Sequence, residues 1–451
     1  MARRRGDEIA AALGAHLGGT VRDLHRLSGG ASRVTSAFEL ESPGAAPRRL
    51  ILQMDRGDIG TQSGKVPMER SLLRAAHAAG VPVPAVVAMG VGDDLGADWL
   101  VVERLEGETI PRKILRDAQW SGARSALTAQ CGRALAAIHT IDPGSVDGLP
   151  AADPLGDPLS FLDALGEARP ALELGARWLD RHRPATGPRV TVHGDFRCGN
   201  FLVGPEGLRG VLDWELAHAG DPAEDIGWLC APAWRFGGGG EVGGFGTLHE
   251  LLGSYAAAGG EAMERDRVHW WQVHATVKWA VICSLQASAH LSGATRSVEL
   301  AAIGRRVCES EWDLFTLLGV APGAPAPEPV ATGNPVAPFG RPTAAELVEA
   351  VREYLEADVM ERSEGGARFE ARVARNALAI VERELVYGRD VAVAHAYRLR
   401  DLGISDDAAL AAAIRAGDFD DGWEPVAAAL AASARDQLLV ANPAYLPPAS
   451  A

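Results

Sequence analysis

The densest run of reactive side chains in the sequence is His193-Gly-Asp195-Phe-Arg-Cys-Gly-Asn200, followed by Leu212-Asp213-Trp214-Glu215. A carboxylate two residues after a histidine, with an asparagine in the same loop, suits phosphoryl transfer. In that chemistry the Asp accepts the proton of an attacking hydroxyl, and an amide oxygen and a later carboxylate supply hard ligands to Mg²⁺. Asp195 is therefore the expected catalytic base, and Asn200 and Asp213 the metal ligands. His193 is expected to brace the loop through hydrogen bonds. Glu215 either reaches metal or substrate through water or solvates the loop. A lone His-Gly-Asp would be no more than a turn; the ordered set is what carries chemistry.

Such residues need rigid elements on either side. A strand at Arg189–Val192 leads into the loop, and strands at Phe201–Val203 and Leu208–Leu212, joined by a turn at Gly204–Gly207, deliver Asp213. Asp221-Pro222 is the pattern of a helix N-cap with proline in the first turn, and Asp225 is expected to cap a helix or anchor the loop. Far upstream, Leu27-Ser-Gly-Gly-Ala-Ser-Arg33 separates strands at Val21–Leu27 and Val34–Glu41. Ser28, Gly29, Gly30 and Ser32 there are candidates for a phosphate cradle, because glycine lets backbone N–H groups approach an anion. Taken alone, paired glycines between strands would be a hairpin turn. A strand at Leu50–Met54, a helix at Pro67–Ala79 carrying Glu69, and strands at Ala85–Met89 and Trp99–Glu103 follow.

The segment from Val192 to Leu229, including Ala219-Gly-Asp-Pro-Ala-Glu-Asp225, resembles the aminoglycoside phosphotransferase or choline kinase-like small-molecule kinases. The resemblance extends over about residues 10–318. It implies an α+β, bilobal protein kinase-like fold with a β-rich N-lobe, residues 1–105, and a helical C-lobe, residues 106–318. It also implies ATP and Mg²⁺ as cofactors. Nucleotide contacts are expected from Ser28, Gly29, Gly30, Ser32, Gln53 and Glu69, with the backbone near Glu103 and Leu105 meeting the adenine. Gly194 replaces the arginine of protein kinases. Gln53 occupies the position where such kinases carry a basic residue that contacts phosphate and pairs with a helix glutamate. Only three lysines exist, Lys65, Lys113 and Lys278, so Arg56 or Lys65 would have to supply the charge. A nucleotide-binding pseudokinase scaffold is the alternative that Gln53 raises, but Asp195, Asn200 and Asp213 are all present. His139, in Leu-Ala-Ala-Ile-His, repeats a feature of the family and also reads as a satisfied core residue.

With 451 residues, 47% of them apolar, the chain has material for more than one domain. Five scattered cysteines without C-x-x-C spacing argue against a zinc site or a disulfide framework and for a cytoplasmic protein; Cys198 is given no role. The first residues lack the apolar stretch of a signal peptide, and no run is long enough to span a membrane. A formal net charge of −15 argues against nucleic acid as a partner. A helix at Arg265–Leu291 places His274 and Lys278 one turn apart, either as core packing or as one wall of an acceptor pocket. Residues 319–340, rich in Pro, Ala and Gly, read as a linker. Beyond it, Thr343 and Glu346 form a capping box. Helices expected there, at Ala367–Tyr387, Asp406–Ala416 and Trp423–Asn442 among them, make residues 341–451 a separate all-α domain. Its segment Phe369-Glu-Ala-Arg-Val-Ala-Arg-Asn-Ala-Leu-Ala-Ile-Val-Glu-Arg-Glu-Leu resembles an uncharacterised bacterial domain found with such kinases, with docking on the kinase or on a partner protein as the expected role.

Members of this family phosphorylate aminoglycosides, choline-like alcohols, homoserine, sugars and hydroxyacyl-CoA thioesters. Leu212-Asp-Trp-Glu-Leu-Ala-His-Ala-Gly-Asp-Pro, Val81-Pro-Val-Pro84 and Ser28-Gly-Gly-Ala-Ser-Arg resemble the branch fused to acyl-CoA dehydrogenases. A hydroxyacyl-CoA is therefore the expected acceptor and an aminoglycoside antibiotic the alternative. The acidic net charge favours the cationic antibiotic, although global charge says little about a local pocket.

Overall fold

The computed structural model describes residues 6–27, 33–55, 65–92, 95–153, 158–185, 187–320 and 341–447. The expected phosphate loop (Ser28, Gly29, Gly30, Ser32), Arg56 and nearly all of the proline-rich stretch fall outside them. The chain forms two compact units, Met1–Gly156 with Ala185–Val268 and Asp157–Pro184 with His269–Ala451.

The first unit opens with helix Gly6–Leu17 and an antiparallel sheet of β1 (Thr20–Arg26), β2 (Arg33–Glu41), β3 (Arg48–Asp55), β4 (Val86–Gly90) and β5 (Trp99–Glu103). The strand order is β1-β2-β3-β5-β4. Side chains alternate across a strand, and the sheet uses both faces. Phe38, Leu40, Leu50, Leu52, Trp99 and Val101 bury on one side with Leu13 of the first helix. Leu100, Val102 and Ile51 turn to the other side and join Val66, Leu72 and Leu73 of helix Lys65–Ala78. Gln53 pairs with Leu100 across β3 and β5, so it shares the face that this helix covers.

Two short ribbons hold the reactive loops. β6 (Val190–Val192) pairs antiparallel with β9 (His218–Gly220), and β7 (Phe201–Gly204) with β8 (Gly207–Val211). The β7–β8 turn ends at Gly207, whose φ of +113° is a conformation that favours glycine. Glu108 and Val203 exchange backbone hydrogen bonds of 2.9 and 3.0 Å, which ties the segment after β5 to β7.

The second unit is helical. Ala171 and Leu174 of helix Pro170–Arg181 and Phe315 of helix Val307–Leu317 bury in one core with Leu399, Leu410, Ile414, Val426, Ala427 and Leu430. The packing therefore divides the chain differently from the expected limits at 318 and 340, because these two helices need the C-terminal apolar faces to cover their own. Arg177 donates to both carboxylate oxygens of Asp420, and Arg415 bridges Glu173 and Asp163. The Thr343–Glu346 capping box forms as expected. The following long helix runs Gly365–Asp401, well past the expected stop at Tyr387. Among the apolar positions of these helices, Leu347, Val351, Tyr354, Val381 and Leu385 are exposed. Lys278 is 1% exposed, which fits the core reading of helix Arg265–Leu291 and not an open acceptor wall. No helix among the described residues is long and apolar enough to cross a membrane.

Candidate active site

The site grows from one buried carboxylate, Asp225, in the first turn of helix Pro222–Cys230. Its Oδ2 accepts the backbone N–H of His193 at 2.8 Å and its Oδ1 that of Gly194 at 2.9 Å. His139 Nε2 lies 3.3 Å from the same Oδ2, and its Nδ1 is 2.8 Å from the Tyr255 hydroxyl. Burial alone would raise the Asp225 carboxyl, but the hydrogen bond and charge of His139, with His193, hold it below the usual range. Asp225 is thus a buried anion that clamps the start of the loop. Asp221, one turn earlier, caps the helix by accepting from Ala223 N at 2.8 Å. Gly194 takes φ +78°, and a Cβ there would strike the Leu216 backbone, so no larger residue fits without displacement.

His193 is fully buried and bonds on both ring nitrogens. Nε2 donates to Leu212 O at 3.1 Å, and Nδ1 accepts from the Asp195 N–H at 3.2 Å. That pattern requires the neutral ring, and burial lowers its pKa accordingly. These two bonds brace the loop. His193 joins the loop to Leu212, whose N–H donates to Asn200 O at 2.8 Å. Leu212 is therefore held from both sides, and the next residue, Asp213, is presented at φ +65°. A non-glycine residue there costs about 1–3 kcal/mol, a strain that accumulates at functional sites.

Asp195 receives three side-chain donors. Arg197 Nε and Trp228 Nε1 reach Oδ1 at 2.7 and 2.8 Å, and Asn200 Nδ2 reaches Oδ2 at 2.6 Å. The Arg197 guanidinium sits 4.4 Å from the centre of the Trp234 ring, which orients it. Because the Asn200 amide nitrogen is committed to Asp195, its carbonyl oxygen is the atom left for another ligand. Asp213 keeps an accessible side yet is crowded by protein elsewhere. That crowding, followed by the negative charges of Glu215, Asp195 and Glu69, pushes its carboxyl up to about 8, against the pull of Arg197. Carboxylates converge here in excess of cations. Oxygen donors with surplus negative charge suit a divalent hard cation, so Asn200 and Asp213 fit Mg²⁺.

Among the expected nucleotide contacts, Glu69 is buried on helix Lys65–Ala78 and Gln53 lies on the facing side of β3. Glu69 pairs with Arg33 of β2 and not with any residue of β3; Lys65 opens the helix. Glu103 N donates to Ala85 O at 2.9 Å, the Glu103 side chain meets Arg48 at 3.3 Å, and Leu105 approaches Gly210. The loop anchors Trp228 and Arg197 went unread in the sequence. A tryptophan on an apolar helix and an arginine at a variable loop position carry no local signal for a shared carboxylate. Beside β9, Asp153, His218 and Glu224 form a second ionisable cluster, with His218 Nε2 3.1 Å from Glu224.

Residues 23–269 match the phosphotransferase enzyme family. The chain belongs to that family. Residues 361–445 match a domain of unknown function, DUF6285. A candidate aminoglycoside phosphotransferase from Ralstonia eutropha JMP134 has the same kinase-like fold, at 20% identity and a TM-score of 0.53, over 70% of this chain and 99% of that one. The family membership and this likeness bear out the expected α+β kinase-like fold with a separate C-terminal helical region. Two curated relatives are acyl-CoA dehydrogenase family member 10 of Mus musculus, 28% identical over 235 residues, and family member 11 of Rattus norvegicus, 26% identical over 193. The matched stretches are 48% and 38% of this chain but 21% and 24% of those proteins. The chain thus spans about a quarter or less of the length of these relatives.

Proposed function

We propose that this phosphotransferase is a Mg-ATP-dependent kinase that moves the γ-phosphate to a hydroxyl of a small molecule, with a hydroxyacyl-CoA as the acceptor. The observation that carries the reading is the occupancy of Asp195: two hydrogen bonds on Oδ1 and one on Oδ2. An ionised carboxylate offers about four lone-pair positions, so the remaining one, on Oδ2, is where an acceptor hydroxyl docks. The hydroxyl proton passes to Asp195 as the hydroxyl oxygen bonds to the γ-phosphorus, and the bond to the β-phosphate oxygen breaks to release ADP. Asn200 and Asp213 would hold Mg²⁺, which when bound neutralises charge on the phosphates. His193 and Asp225 keep the loop in register, and the proposed nucleotide contacts are Glu69, Gln53 and the backbone at Glu103 and Leu105, with Ser28, Gly29, Gly30 and Ser32.

The acceptor rests on the relatives, whose names place them among acyl-CoA dehydrogenases; phosphorylating the hydroxyl of an acyl-CoA would activate it for elimination. The five cysteines are buried free thiols, which supports a reducing, cytoplasmic setting. The match at residues 361–445 supports an accessory domain after residue 340; docking on the kinase or on a partner protein is its proposed role.

The test is incubation of the full chain with Mg-ATP and a panel of hydroxyacyl-CoAs and aminoglycosides, read by mass spectrometry. A phosphoryl adduct of a hydroxyacyl-CoA is expected. An adduct of an antibiotic alone would replace the acceptor, and no adduct from any acceptor would favour the scaffold.

A further inference from the structure

The kinase reading leaves a gap on β3. Gln53 carries no charge where phosphate-contacting kinases use a lysine paired with a helix glutamate. The helix glutamate is nevertheless paired. Arg33 Nη1 of β2 donates to Glu69 Oε2, and Arg33 Nε donates to Asp55 Oδ1 at 2.9 Å. The β2–β3 register sets Thr35 opposite Gln53 and Arg33 opposite Asp55. Paired residues two positions apart project from the same face of a sheet, so Arg33 and Gln53 face helix Lys65–Ala78 together. Arg33 is 8% exposed, an unusual place for a guanidinium unless it is held for a purpose or locked in an ion pair. Its surroundings lead towards the metal-ligand cluster, because Glu215 acts electrostatically on both Arg33 and Glu69, and Glu69 acts on Asp213.

Resting on the phosphotransferase reading, we infer that Arg33 supplies from β2 the cationic nucleotide-phosphate contact that Gln53 cannot supply from β3. Neither of the two bonds above uses Nη2, and the planar guanidinium matches a phosphate oxygen pair better than an ammonium does. Glu69 and Asp55 serve to position the fork. Two carboxylates around one guanidinium leave no local surplus of positive charge, so the contribution is directional and of moderate size.

Removing Arg33 alone would strand Glu69 as an unpaired buried acid. The comparison is therefore made within a Glu69→Gln parent, adding Arg33→Met, and then Gln53→Lys to return a cation from β3. Mg-ATP affinity is measured by calorimetry on the full chain, with thermal unfolding of each variant alongside. Arg33→Met is expected to weaken Mg-ATP binding about ten- to hundredfold relative to its parent, the range for a hydrogen bond to a charged group, and Gln53→Lys to recover much of the loss. Unchanged affinity with a lowered unfolding temperature would overturn the inference and leave Arg33 as a structural ion pair. A wild-type chain that binds no Mg-ATP would sink the kinase reading itself, a result distinct from normal binding that is indifferent to Arg33.

Discussion

At the scale of residues, charge in this protein is organised around backbone positions as much as around substrates. Asp225 spends both oxygens on the N–H groups of His193 and Gly194, and His193 spends both nitrogens on Asp195 N and Leu212 O. Neither is left to move protons; they hold Asp195 and Asp213 in place. His218 behaves differently. Burial would lower its pKa, but the hydrogen bond and charge of Glu224, with Leu216 O and Asp153, raise it above 6.5. A histidine raised in the folded state contributes stability that is fully present below about 6.5, its unfolded value, and is lost as pH rises through the folded one. His218→Gln should therefore lower the unfolding temperature most near pH 6, by an amount corresponding to about 1–3 kcal/mol. The gap from wild type should narrow towards pH 9. Thermal melts across that range check it, and a gap that widens with pH would show that His218 is not held as a cation.

At the scale of elements, most of what positions the site could be read in the sequence. β5 matches its expected limits, Trp99–Glu103, and β2, β3, β7 and β8 fall within two residues of theirs, because strand-forming residues bounded by turn residues mark strands. β9 was invisible: three residues, His218–Gly220, show no alternation, and only pairing with distant β6 makes them a strand. The long helix Gly365–Asp401 overran its expected end because Tyr387-Gly388 reads as a stop, whereas an interior glycine costs only about 1 kcal/mol. Arg33 was passed over for a related reason. An arginine at a strand edge reads as solvated, and its burial depends on a helix arriving more than thirty residues later with Glu69. The candidate site residues Asp195, Asn200 and Asp213 were legible because phosphoryl transfer calls for such residue types at such spacing, whereas Trp228 joins Asp195 only through tertiary packing.

Element packing also predicts how the C-terminal helices behave. Leu174 of helix Pro170–Arg181 and Phe315 of helix Val307–Leu317 are buried with Leu410, Ile414, Val426 and Leu430. Ending the chain at residue 320 would uncover them, at about 1.5–3 kcal/mol for each large side chain. The truncated protein should unfold at a distinctly lower temperature or aggregate, as judged by circular dichroism and light scattering. A truncation as stable as the full chain would mean that the C-terminal region is a freely separable appendage.

At the scale of the whole molecule, the chain joins a phosphotransferase catalytic region to helices that match a domain of unknown function. Asp195 is the proposed base that receives the acceptor proton. The most direct test measures phosphoryl transfer and Mg-ATP affinity in the wild type and in Asp195→Asn, an isosteric change that keeps one oxygen for Arg197 and Trp228 but removes the proton acceptor. Transfer should fall about 10²–10⁴-fold while Mg-ATP affinity stays within a factor of a few. Transfer that persists in Asp195→Asn at close to the wild-type rate would contradict the account.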